Sequence, residues 1–174
     1  NPDGSYYQIG ELRVNPVSWG DVIDETQSNV FLGNMSSSYK ILESLKFNFD
    51  VGMSNEHTNR YTSVPDSHPA GENVGGLASI SKFQNGTVMT ESYFTFDKQI
   101  TANSRLTALL GYSYQRFEKE NTFTQANQFV STATEWNLMQ SGTILSNTSF
   151  KESNILSSYY ARVNYKLMDR YLFT

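Results

Sequence analysis

From Tyr159 to Leu167 the residues alternate strictly. Tyr159, Ala161, Val163, Tyr165 and Leu167 are apolar or aromatic, whereas Tyr160, Arg162, Asn164 and Lys166 carry polar or charged groups. Successive side chains of a strand point to opposite faces, so this pattern predicts a strand with an apolar side and a wet side. Met168-Asp169-Arg170 leaves room only for a tight turn, because Tyr171-Leu172-Phe173 at once resumes β-forming residues. A strand opened there needs a partner, so the expectation is that the chain is a slice of a larger sheet.

The same period recurs upstream. In 29–41, Phe31, Met35, Tyr39 and Ile41 oppose Asn34, Ser36, Ser38 and Lys40; in 45–53, Leu45, Phe47, Phe49, Val51 and Met53 oppose Lys46, Asn48, Asp50 and Gly52. Residues 87–99 set Phe94 and Phe96 against Glu91, Thr95 and Asp97, and 105–117 set Leu106, Ala108, Leu110, Tyr112 and Tyr114 against Thr107, Leu109, Gly111, Ser113 and Gln115. The remaining residues read as connections that alternate short and long: 42–44, 54–86, 100–104, 118–154 and 168–170. Asn85-Gly86 is a turn signal closing the first long one, and in the second Thr134 is placed to cap a short helix through Gln140, stopped by Gly142. Residues 1–28 read as loop, with turn signals at Asp3-Gly4, Asn15-Pro16 and Trp19-Gly20.

Each strand reaches the 9–11 residues that a tilted strand needs to cross a bilayer. Alternating short and long connections are the mark of an outer-membrane barrel, with short periplasmic turns and long extracellular loops. Aromatics then fall into two girdles: Tyr39, Phe47, Phe96, Tyr165 and Tyr171 near the turns, and Phe31, Tyr112, Tyr114 and Tyr159 near the loops. Composition agrees: aromatics are 14% and charged residues 17%, yet the mean hydropathy is −0.48, as strands with lipid on one face and water on the other require. No apolar run is long enough for a transmembrane helix.

Three blocks carry a resemblance. SSYYARVNYKLMDRYLFT (157–174), NVFLGNMSSSYKILESLKFNFDVG (29–52) and LLGYSYQ (109–115) resemble, in that family's order, motifs of the SusC/RagA-like TonB-dependent transporters of Bacteroidota. The resemblance implies an all-β fold: consecutive antiparallel strands of a 22-stranded transmembrane β-barrel in the outer membrane, closed by a plug outside these residues. It also implies uptake of glycans or oligopeptides with a SusD-like surface lipoprotein, energised by the TonB complex through the plug. A passive porin-like barrel and a soluble β-sandwich carbohydrate-binding module remain as alternatives.

The barrel reading turns Lys46, Asp50, Glu91, Arg162, Asn164 and Lys166 toward the lumen, and Phe47, Phe49, Val51, Leu110, Tyr112, Val163 and Tyr165 toward lipid. Trp19, His57, Tyr61, His68 and Trp136 are the candidates for contact with substrate or lipoprotein, being suited to stacking and hydrogen bonding; packing among the loops is the plainer role for their aromatic rings. His57 and His68 lack a third partner at metal-ligand spacing, and the acids Asp21, Asp24 and Glu25 lack the spacing of a calcium loop. No catalytic or cofactor motif occurs, and pairs such as Glu118 and Glu120 are expected by chance in loops this long, so the expectation is a non-enzyme without a cofactor. A net charge of −4 without a basic stripe argues against nucleic acid.

Overall fold

The computed structural model describes residues 6–7, 14–168 and 170–174. It contains one six-stranded sheet in the order β1-β2-β3-β4-β5-β6. The strands are β1 (Ile23–Leu42), β2 (Leu45–Val64), β3 (Leu77–Thr101), β4 (Ser104–Asn127), β5 (Thr143–Leu167) and β6 (Tyr171–Phe173). Each strand pairs with its sequence neighbours, the up-and-down meander that a barrel wall requires. β6 pairs antiparallel with β5, Tyr165 facing Phe173 and Leu167 facing Tyr171. The tight turn before β6 is therefore present, with Met168 in the left-handed region at φ 53°; its Asp169, like Asp3-Gly4, lies outside the described residues.

The strands are longer than the alternation predicts. Residues 23–28, 54–64, 77–86, 118–127 and 143–154, all expected as loop, are strand. Asn85-Gly86 is no turn but the middle of β3. In β2 the run Ser54-Asn55-Glu56-His57-Thr58-Asn59-Arg60 is polar on both faces, which erases the period-two signal without preventing a ladder. The long connections that remain are 65–76 and 128–142. The expected helix after Thr134 is also replaced: two 3-10 turns, Thr132–Thr134 and Met139–Ser141, stand there, and Ser131 rather than Thr134 supplies the capping oxygen. Glu135, at φ 53°, breaks the helical path between them.

The buried apolar residues among those described are only Ala78 and Ala126, while Leu110, Val163, Tyr159 and Met53 are exposed. A single sheet offers its faces no second layer, which is not how a two-sheet sandwich hides its apolar side. Among the described residues no helix is long and apolar enough to cross a membrane. The chain divides into two compact units, one of Asn1–Asn29, Glu56–Gln84 and Lys119–Lys151, the other of Val30–Asn55, Asn85–Glu118 and Glu152–Thr174.

Candidate functional site

In the second unit, hydrogen bonds identify the two faces of the sheet. Ser38 Oγ donates to Asn48 Oδ1 at 2.8 Å, and Asn48 Nδ2 reaches Thr95 Oγ1 at 3.3 Å. Tyr160 donates its phenol proton to Glu91 at 2.6 Å. Arg105 pairs with Asp97, its Nε 2.7 Å from Oδ1, and Asn164 Nδ2 lies 3.4 Å from Thr107 Oγ1. Alternation along each strand then adds Lys46 and Asp50 to Asn48, and Arg162 and Lys166 to Asn164. All six residues expected at the lumen thus share one polar face. On the opposite face the Phe47 and Phe94 rings lie 5.1 Å apart and the Tyr112 and Tyr159 rings 4.9 Å apart. Cross-strand aromatic pairs of this kind are a main source of sheet stability.

The first unit holds the other candidates, and there the chain folds on itself. Loop 65–76 and loop 128–142 are stitched together by backbone bonds from Gln128 N to Val74 O and from Phe129 N to Gly75 O, both 2.9 Å. Thr132 Oγ1 donates to Asp66 at 2.8 Å. Gly75 and Gly76 have φ of 64° and 77°, and a Cβ on Gly76 would run into the Thr132 methyl, so this junction needs glycine. Tyr61 of β2 stacks on Trp136 with centroids 5.3 Å apart and planes 19° from parallel.

His68 is only 1% exposed. Its Nδ1 accepts from Ala70 N at 3.1 Å and so caps the single helical turn Pro69–Glu72. The exposed Trp19 ring meets the His68 ring edge-on at 4.9 Å. Burial removes His68 from direct contact with a ligand and makes it a loop anchor, whereas His57 stands exposed on β2.

The acidic cluster disperses into separate bonds. Asp24 takes a bidentate grip from Arg60 at 2.8 and 2.6 Å, Asp21 accepts from Tyr6 at 2.7 Å, and Glu25 accepts from Gln27 at 2.6 Å. The hydrogen bond from Arg60 holds the Asp24 carboxyl below its usual range, and the bond to Asp21 raises the Tyr6 phenol. Among the described residues no three groups converge as metal ligands. The geometry therefore offers a polar wall in one unit and a prefolded aromatic surface in the other. Sequence reasoning missed Gly111, which is buried beneath Tyr160; a glycine inside a strand is the available signal for such a close approach.

No family model matches the chain. It is 29% identical over its whole length to TonB-dependent receptor P3 of Formosa agariphila, of which it covers 18%. It is 26% identical, again throughout, to TonB-dependent receptor SusC of Bacteroides thetaiotaomicron, of which it covers 17%. The chain thus spans under a fifth of the length of these relatives. Among solved structures, the RagAB peptide importer in its closed-closed state superposes on 94% of the chain with a TM-score of 0.78 at 16% identity, the chain covering 19% of it. The RagAB peptide transporter gives 0.71 over 95% of the chain at 17% identity.

Proposed function

We propose, since this chain belongs to the SusC/RagA-like TonB-dependent transporters as a segment of their β-barrel, that it forms wall and outer vestibule of a nutrient importer in the outer membrane. The observation that carries this reading is the division of the sheet in the second unit into a polar face and an apolar face, in a chain that aligns throughout its length with TonB-dependent receptors. Lys46, Asp50, Glu91, Arg162, Asn164 and Lys166 line the lumen. The face bearing Phe47, Phe49, Val51, Leu110, Tyr112, Val163 and Tyr165 meets lipid.

Strands of 20–25 residues are about twice what crossing requires, so the halves far from the short turns stand outside the bilayer. There Trp19, His57, Tyr61 and Trp136 face substrate or partner, while His68 holds its loop in shape. The cargo is a glycan or an oligopeptide, received with a SusD-like surface lipoprotein, and the energy comes from the TonB complex acting on a plug in the complete protein. Passive diffusion through a porin-like barrel is the weaker reading, because the relatives named are TonB-dependent.

Removal of 66–73 or of 131–140 from the complete transporter, each bridged by a short Gly/Ser linker, is the test. The folded barrel should remain in the outer membrane while growth on the nutrient that depends on this transporter fails. Normal growth with both loops removed defeats the assignment of the loops to substrate or partner.

A further inference from the structure

We infer that Tyr160 is a strut laid flat across β4, its ring filling the notch at Gly111 and its phenol fastened to Glu91 of β3, so that one side chain fixes the mutual register of β3, β4 and β5. Neighbouring strands lie about 4.8 Å apart, so β5 and β3 are separated by about 9.6 Å with β4 between them. A side chain joining them must pass over β4, and any side chain standing in its path would block it. At the crossing point β4 has none. A Cβ built on Gly111 would overlap the Cζ, Cε2 and Oη atoms of Tyr160. Gly111 is buried although it has no side chain of its own, and the cover is that ring.

The far end is anchored by the 2.6 Å bond from the phenol to Glu91 Oε1, a hydrogen bond to a carboxylate and hence among the stronger kinds. Around it, Tyr112 meets Tyr159 and Thr107 meets Asn164. From pair to pair β4 numbers fall as β5 numbers rise by equal steps, as a single antiparallel register demands.

Two other strand glycines show that the notch is specific. At Gly52 the nearest atom to an added Cβ is the Met89 methyl at 4.0 Å, and at Gly33 it is the edge of the Phe31 ring at 3.3 Å. Neither is overlapped. Glycine inside a strand weakens it by freeing the backbone and leaving nothing to pack. An aromatic ring laid over the gap restores the lost contacts. A register slip of one residue in β4 or β5 would set the Tyr160 ring against Leu110 or Tyr112 in place of Gly111 and break the bond to Glu91. The strut therefore discriminates against slipped pairings, which lipid on one face and water on the other also oppose.

The test is a pair of double-mutant cycles in the full-length protein that carries this segment, purified in detergent. The readout is the rate at which the compact, SDS-resistant band is lost in guanidinium. Gly111→Ala should speed unfolding about tenfold or more, the range expected for overpacking, and Gly52→Ala should not. In a Tyr160→Ala background Gly111→Ala should have no further effect, because the clashing ring is gone. If Gly111→Ala prevents assembly, adding Tyr160→Ala should restore it. Tyr160→Phe keeps the ring and removes the hydroxyl; it and Glu91→Ala should each speed unfolding, and together no more than either alone. Equal effects of Gly111→Ala with and without Tyr160, a double variant that stays unassembled while Tyr160→Ala assembles, or wild-type unfolding of Tyr160→Phe would each overturn the inference.

Discussion

Val163 and Arg162 are chain neighbours at nearly the same height on β5, and only the strand's alternation separates them. β5 ends at Leu167, so Val163 sits four residues above the turn. At about 3.3 Å per residue and a tilt near 40°, that is about 10 Å of height, close to the middle of an apolar band about 25 Å tall. The residue is 56% exposed on the sheet's apolar face. Val163→Arg should therefore cost about 2–4 kcal/mol of folding free energy, about 30- to 900-fold in the folding equilibrium. Arg162→Val should cost little, because that position faces the polar side with Asn164 and Tyr160. The exchange Arg162→Val with Val163→Arg leaves composition and net charge untouched and inverts only the faces; it should be as damaging as Val163→Arg alone. The assay is the amount of heat-modifiable, folded barrel in outer-membrane fractions of cells expressing each full-length variant. Wild-type levels for Val163→Arg, or an equal loss for Arg162→Val, would refute the placement of lipid on this face.

His68→Ala removes the cap of Pro69–Glu72 and the partner of the Trp19 ring, a loss of about 1–2 kcal/mol for the cap alone; proteolysis should then nick loop 65–76 at protease concentrations that spare the wild type. The pairing of Asp24 with Arg60 gives a pH dependence of definite sign. Because the folded-state carboxyl titrates below its unfolded value, the pair's contribution is complete above the ordinary carboxylate range and disappears as pH falls through the depressed value. Melting curves of the wild type and Asp24→Asn should differ slightly at neutral pH and converge in acid, with high salt shrinking the gap because the pair is exposed. The isolated segment 1–174 should aggregate in plain buffer and require detergent, since its sheet leaves the outer edges of β1 and of β5 beyond β6 unpaired; a monodisperse, cooperatively melting monomer in sizing and calorimetry would contradict this.

The stretches that alternate were legible because their two faces differ in polarity. Leu45 to Met53 and Tyr159 to Leu167 announce their strands, and with them the division of faces, since a strand with one polar and one apolar face carries period two in the residues themselves. Beyond those stretches the alternation is lost, whether the residues are largely exposed, as along the opening of β5, or covered, as at Ala78 and Ala126. β2 beyond Met53, the first residues of β3, β4 beyond Phe117 and the opening of β5 hold their ladder through backbone bonds to neighbouring strands, which leave no periodic trace in side-chain polarity. Tertiary structure alone decided the rest of the candidate site. The burial of His68 against Trp19 and the stacking of Tyr61 on Trp136 come from the packing of loops, and the crossing of Gly111 by Tyr160 from sheet register; each joins residues distant in the chain and is a relation between segments rather than a property of any one of them.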